Sequence, residues 1–382
     1  MQRLRLAINA RTLIGEHLRG WSRYTINLLE ALLAYDVDYF LFSDQPLSDR
    51  LLTRLPRDRC HVVIERRSRY FLWEQRVLPY LCRKRRIDLL HCPTNYGLPA
   101  FSPCPTVLTL HDAIAEKYYR PLMRWQDKLR PAWLLWTLSG YISRRSADRV
   151  IAVSEHASTE LIDFFRLPRA KIRVIHEAAD PLFDRGPTDE DLQTVMARYD
   201  ISRPYLFYIG GWEERKNAHF LVRAFEKADS RIALVMAGGR AEELVDMRRR
   251  YARLDGRIRF IGWVEEEELP ALYSGARAFI YPSKYEGFGL QVCEAMTLGC
   301  PVFTSNASSL PEVLGAGGEV FSLEDDAQLV HLIERVSTDE GFFEDLKERS
   351  RKRAADFSWH KTAAATWQVY QDALRARAGR RS

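Results

Sequence analysis

Four stretches of the chain carry residues whose types and spacing suit chemistry on a charged, hydroxyl-rich ligand. In YEGFGLQVCE, Glu286 stands just before Gly287-Phe288-Gly289, and Glu294 lies eight positions further on. The glycines allow a ligand to approach the backbone closely. A helix opening at Leu290 would leave its first N–H groups available to an anion. A carboxylate beside such a helix end is suited to accepting hydrogen bonds from sugar hydroxyls rather than to holding phosphate. The competing reading is one glutamate that favours the helix dipole and a second on the surface. In YIGGWEERKN, Gly210-Gly211 ends an apolar run and Arg215 and Lys216 follow. Two cations at a turn suit a diphosphate, which arginine can grip bidentately. A charge pair on a surface loop is the alternative.

The other two stretches are weaker. Gly20 in HLRGWSRYTINLL could bring backbone close to a phosphate, or be a flexible loop glycine. Without GxGxxG it is no dinucleotide fingerprint. His111-Asp112 follows the run TVLTL. A histidine there could bond a sugar hydroxyl or meet developing charge, although a lone histidine is more often structural. The DxD pairs Asp36/Asp38 and Asp189/Asp191 flank a strand start and lie between the two halves. Neither is read as a metal site.

These residues need strand ends to hold them. RLAINA, DYFLFS, HVVI, DLLHC, TVLTLHD and RVIAVS read as strands in the first half, alternating with helical patterns such as RYTINLLEALLAY. The pattern restarts with YLFYIG, IALVMAG, RIRFIG, RAFIYPS and PVFTS. Alternating strands and helices imply α/β architecture with a parallel sheet covered on both faces. Two doubly wound, Rossmann-like domains are therefore expected, facing across a cleft, with ligand at the carboxyl ends of the strands. EAADPLFDRGPTDED (177–191) has linker composition, and 181–199 is assigned as the linker.

The totals set bounds. At 382 residues there is chain enough for two domains. The net charge of +6 fits an anionic ligand, an anionic membrane or nucleic acid, and selects none. No nucleic-acid motif is present, so no nucleic-acid partner is expected. Cys60, Cys82, Cys92, Cys104, Cys293 and Cys300 form no CxxC pair or zinc pattern, which points to a reducing cytoplasm. No eighteen-residue apolar run suggests a transmembrane helix, and the N-terminus reads as a strand rather than a signal peptide.

Taken together, the motifs resemble the retaining GT-B glycosyltransferases of family four, in particular bacterial mannosyltransferases. The resemblance rests on EGFGLQVCE with its continuation EAMTLGCPVFTSNASSLPEV, on the RKN turn, on the HD pair and on FSWHKTAAATWQVY, and it spans nearly the whole chain. It implies that Glu286 contacts the donor sugar, Glu294 the ribose, and Arg215 and Lys216 the diphosphate. Backbone N–H groups around Phe288, Gly289 and Leu290 would help hold the donor. His111 would sit near the transferred sugar and Gly20 on the phosphate side. It also implies an N-terminal acceptor domain, 1–180 with a returning helix at 362–382, and a donor domain at 200–361. Two positions depart from the pattern: Ser22 and Gly211 stand where relatives commonly carry glycine and arginine.

The chemistry is consistent with this without help from the family. Cleaving a bond to a nucleotide diphosphate creates an oxocarbenium-like centre and an anionic leaving group, which cations and hydroxyl-binding groups can serve. No cofactor or metal is expected. The segments LWEQRVLPYL and DLLHCPTNYGLP resemble those of mannose-transferring relatives and place GDP-mannose first among donors. UDP-glucose, UDP-N-acetylglucosamine and deoxysugar donors are the alternatives, with the base near Gly262-Trp263-Val264. The acceptor is expected to be a glycan or lipid-linked glycan in cell-surface polysaccharide assembly. Arg66–Arg86 and the tryptophan-rich segment 121–145 could rest on an anionic inner-leaflet surface, or be a solvated face, a core helix or an oligomer contact. Another GT-B reaction, such as epimerisation or phosphorolysis, and a non-catalytic nucleotide-sugar binder are the rival functions.

Overall fold

The computed structural model describes residues 3–15, 20–65, 70–202 and 204–378. They fall into two compact units, Met1–Glu177 with Ser358–Ser382, and Ala178–Phe357.

The first unit is built on seven parallel strands: β1 (Leu4–Asn9), β2 (Val37–Ser43), β3 (Cys60–Ile64), β4 (Leu89–Cys92), β5 (Thr106–Leu110), β6 (Arg149–Ala152) and β7 (Ile172–Val174). Their order is β3-β2-β1-β4-β5-β6-β7. Every residue of β4 and β5 is buried, as a sheet covered on both faces requires. The order reverses between β1 and β4, so the carboxyl ends of these strands form the switch point where such sheets present ligand-binding groups. The C-terminal helix, Trp359–Ala378, packs on the first long helix, Gly20–Leu32. Trp367 stacks on Tyr35 at 4.5 Å and Trp359 meets Tyr24 edge-on at 5.9 Å.

The second unit holds six parallel strands, β8 (Tyr205–Ile209), β9 (Ala233–Ala237), β10 (Ile258–Gly262), β11 (Ala278–Tyr281), β12 (Val302–Ser305) and β13 (Glu319–Phe321). Their order, β10-β9-β8-β11-β12-β13, reverses between β8 and β11. The core on one face joins Leu206, Leu234 and Ile280 of the strands to Phe220, Leu221 and Phe225 of the helix Ala218–Lys227.

One sequence expectation needs correction. The segment 181–199 is not an open linker. It contains a 3-10 turn, Pro181–Asp184, and a helix, Asp189–Arg198, that packs on the helix Leu269–Gly275. Thr188 and Asp191 close a capping box at its start, so the acids that suggested a linker are helix N-terminal residues. The tryptophan-rich segment presents two different sides. In the helix Pro131–Ser146, Leu134, Leu135, Leu138 and Tyr141 are exposed, whereas Trp133 and Trp136 are only half-exposed. Arg144, in the last turn of that helix, is buried, pairs with Glu116 at 3.2 Å and lies over Phe165. Of the basic cluster upstream, Arg66, Arg67 and Arg69 lie outside the described residues. No helix among the described residues is long and apolar enough to cross a membrane.

Candidate active site

In the second unit, β8 and β11 are neighbours and deliver their following loops side by side. After β8 the chain runs through Gly210-Gly211 into a 3-10 turn, Glu214–Lys216, and Asn217 then adopts a left-handed conformation (φ 55°) before the helix Ala218–Lys227. After β11 the loop folds over this turn. The Lys284 N–H donates to the Arg215 carbonyl at 2.7 Å, and Ser283 Oγ lies 3.2 Å from the same carbonyl. The two loops are thereby locked together.

The lock brings Arg215, Lys216 and Glu286 to one point. Oε1 of Glu286 accepts from Arg215 Nη1 at 2.9 Å, Lys216 Nζ at 2.8 Å, the Ser283 hydroxyl at 2.6 Å and the Tyr281 hydroxyl at 3.1 Å. Lys216 Nζ also reaches the Tyr281 hydroxyl. Arg215 donates to the Tyr285 carbonyl at 2.7 Å, and its Nη2 meets Glu213 Oε1 at 3.1 Å. All three charged groups of the cluster are nearly buried. Burial opposes the charge on Glu286, but Lys216 and Arg215 outweigh it and hold the carboxyl below the usual range. Burial, with Arg215 alongside, pushes the Lys216 ammonium down from its ordinary value despite Glu286. The sequence separated a sugar-binding glutamate from two phosphate-binding cations; the structure makes them one ion cluster.

Glu294 sits in the second turn of the helix Leu290–Thr297, buried, and accepts from the Tyr273 hydroxyl at 3.3 Å. Gly289 caps this helix at φ 108°, a conformation open to glycine, and an added Cβ there would meet Leu310 at 2.9 Å. The Glu286 N–H donates to Ser308 Oγ, while the Ser309 hydroxyl bonds the Glu286 and Phe288 carbonyls at 3.0 and 2.8 Å. The backbone turn 286–290 is therefore held from the 308–309 loop. Gly287 and Leu290 belong to the same turn. Gly210 and Gly211 lie at the end of β8, and a Cβ on Gly211 would meet Glu213 Oε2. Val264 is buried just beyond β10, with Trp263 largely exposed beside it.

In the first unit, His111 follows β5 and is buried. Nδ1 faces Glu177 Oε1 at 2.8 Å and Nε2 faces the Pro93 carbonyl at 3.1 Å. Both partners accept, so this setting favours the ring that donates from both nitrogens, the imidazolium. Burial alone would lower its pKa; the Glu177 carboxylate and the Pro93 carbonyl reverse this and raise it. This changes the expected role. His111 holds positive charge more readily than a free imidazole, and reaches a hydroxyl only by leaving Pro93. Tyr24 packs edge-on against the ring at 4.8 Å. Gly20 begins the helix Gly20–Leu32, and a Cβ there would meet nothing within 4 Å. The fold itself does not demand glycine at this position.

The comparisons with known proteins fit this geometry. The pattern described as Glycosyl transferases group 1 matches residues 197–353, and Glycosyltransferase Family 4 matches 18–181. O-antigen chain mannosyltransferase B of Escherichia coli is 35% identical over 298 residues, covering 74% of this chain and 74% of that protein. The chain belongs to the family-four glycosyltransferases. A second relative, the serotype-specific mannosyltransferase WbdA of Escherichia coli, is 28% identical over 68% of this chain but only 32% of its own length. The Anabaena protein HepE, solved in complex with UDP, superposes with a TM-score of 0.74 at 16% identity, covering 97% of this chain and all of that one. The two Rossmann-like units are thus those of a GT-B glycosyltransferase.

Within this glycosyltransferase several site residues had been missed as partners. Tyr281 and Ser283 belong to the strand-like run RAFIYPS, where the sequence assigns them no role, yet both hydroxyls serve Glu286. Glu177 was read as the first residue of a linker, because β7 is only three residues long and its end was not recognised. Gly238 gave a signal that went unread. Its φ is 97°, and a Cβ would lie 2.3 Å from the Gly210 carbonyl oxygen, so the ends of β8 and β9 close up only over glycine.

Proposed function

We propose that this glycosyltransferase moves mannose from GDP-mannose, with retention of anomeric configuration, to a glycan or lipid-linked glycan acceptor in cell-surface polysaccharide biosynthesis. The observation that carries the reading is the Arg215–Lys216–Glu286 cluster at the paired ends of β8 and β11. A diphosphate would compete with Glu213 for Nη2 of Arg215 and draw on Lys216, and the two cations would stabilise the charge that develops as the sugar leaves. They supply the neutralisation for which a metal would otherwise serve, so the proposal includes no metal or other cofactor. Glu286 Oε2, which takes none of the four donors crowded on Oε1, is assigned to the sugar hydroxyls. Glu294 is assigned to the ribose, and the N–H groups of the Gly287, Phe288, Gly289 and Leu290 turn to the donor. Gly210, Gly211 and Gly20 are assigned to the phosphate side, Val264 to the base, and the His111 charge to the transferred sugar.

The mannose assignment is supported by the names of the two Escherichia coli relatives. For the acceptor side, the exposed Leu134, Leu135, Leu138 and Tyr141, with exposed Arg145 on the same face, suit an anionic cytoplasmic leaflet. Flotation with anionic vesicles checks this: binding at low salt is expected, and none would remove the membrane from the account. A thermal-shift panel of nucleotide sugars with and without EDTA tests the whole reading, since a ligand of the native state raises the melting temperature. A shift with GDP-mannose that EDTA leaves unchanged is expected. A shift with UDP-sugars alone would replace the donor.

A further inference from the structure

The first unit carries a line of aromatic rings that the donor chemistry does not use. It starts at an open groove of about 710 Å³ lined by Met123, Asp127, Arg130, Ala132, Trp133 and Trp136. Trp133 stacks on Trp136 at 5.0 Å, Trp136 meets Tyr96 at 5.9 Å, Tyr96 meets Trp21 at 5.8 Å, and Trp21 reaches the His111 ring at 6.1 Å. All four aromatic residues are half-buried, so each keeps part of its surface open. The line is built in, not incidental. Trp133 and Trp136 lie on the side of their helix that also carries buried Ser139, Gly140 and Ser143. Ser139 bonds the buried Glu74 carboxylate at 2.6 Å. Ser143 Oγ accepts the Gly97 and Leu98 N–H groups at 2.9 and 3.0 Å, which fixes the loop that carries Tyr96 between Trp136 and Trp21.

We infer that this line is a row of subsites for the pyranose chain of the acceptor, running from the groove toward His111. The inference rests on the transferase reading and deepens it by naming an acceptor of several neutral sugars rather than one. A pyranose ring presents a C–H face that packs on an aromatic ring, and its hydroxyls need a few polar groups at the rim. Here those are Asp127 and Arg130, paired with each other at 2.8 Å in the groove wall. The steps between rings are of the order of one sugar unit in a chain. A bilayer is the less fitting occupant of this line, because the exposed residues Leu134, Leu138 and Tyr141 fall, by helical spacing, on a different side of the helix from Trp133 and Trp136.

Calorimetric titration of the full chain with α-linked mannose oligosaccharides of increasing length, from one to four units, and with matching α- and β-glucose series, tests this. Affinity should rise at least about ten-fold from one unit to four in one of the three series. Trp136→Ala should remove that gain and leave GDP-mannose binding unchanged, whereas Leu138→Ala should keep it. Equal affinity for one and four units in every series, or a gain that survives Trp136→Ala, overturns the inference. A length-dependent gain in a protein that binds no nucleotide sugar would keep the subsites and remove the transferase reading instead.

Discussion

Oε1 of Glu286 is where two cations and two hydroxyls meet, so its removal has two separate effects. Glu286→Ala leaves two nearly buried cations without their counter-charge, which costs about 3–5 kcal/mol for such a pair. A lowered melting temperature should therefore accompany lost transfer, and a variant with wild-type stability would contradict the cluster. Glu213→Gln separates two roles for its carboxylate. If Glu213 stands where a phosphate would bind, the change should tighten nucleoside diphosphate binding, since a competitor for Arg215 is gone. Weaker binding by calorimetry would mean that Glu213 only holds the arginine in place. Glu294→Gln should weaken donor binding by roughly 1.5–3 kcal/mol, the scale of a charge-assisted hydrogen bond. At this scale the sequence showed the charged groups, because Glu286, Glu294, Arg215 and Lys216 sit at recognisable strand-to-helix turns. It did not show who their partners were. The Ser283 and Tyr281 hydroxyls reach Glu286 because of how one loop folds over another, and no local spacing encodes that.

The loops that hold the site depend on glycines with demanding backbones. Gly238→Ala would place a Cβ 2.3 Å from a backbone carbonyl oxygen that cannot swing aside. Gly289→Ala meets the end of Leu310 at 2.9 Å and keeps a positive φ. The strain at such a backbone is about 1–3 kcal/mol. Gly238→Ala should therefore lower the melting temperature of the second unit more than Gly289→Ala, and Gly20→Ala, which meets open space, should not lower it at all. Equal losses at all three positions by thermal denaturation would refute this ordering. The long strands were legible because both faces are buried and the runs are apolar. β7 and β13 were not, since three-residue strands such as Ile172–Val174, with Arg173 outward, leave no pattern to read. The helix Asp189–Arg198 was taken for linker because its capping residues are the same acids and threonine that mark loops.

Across the first unit, buried titratable groups give folding a pH dependence whose sign can be worked out. His111 has a raised pKa, so its contribution is full below the unfolded value of about 6.5 and is lost as pH rises through the folded one. Glu74, pushed up from 4.5 to about 7 by burial, acts in the same direction but over a lower window, its contribution being lost as pH rises from about 4.5 to 7. His91, held between Tyr370 and Thr109 and lowered by burial to about 3, acts oppositely, and its contribution is lost as pH falls below about 6.5. Stability should therefore decline on the alkaline side of neutrality. Glu177→Gln should flatten that slope, as read by melting temperature between about pH 6 and 9, whereas Glu74→Gln should remove Glu74's share of the change between about pH 5 and 7. None of this was visible in the sequence, where His91 is one residue of an apolar strand and Glu177 one acid among several. The central claim is that Arg215, Lys216 and Glu286 form the nucleotide-sugar site, and GDP-mannose titration by calorimetry into the wild type and Lys216→Ala tests it most directly. The account predicts saturable binding to the wild type and a loss of at least about ten-fold in the variant, with its second unit still folded. Undiminished binding to the folded variant would contradict it.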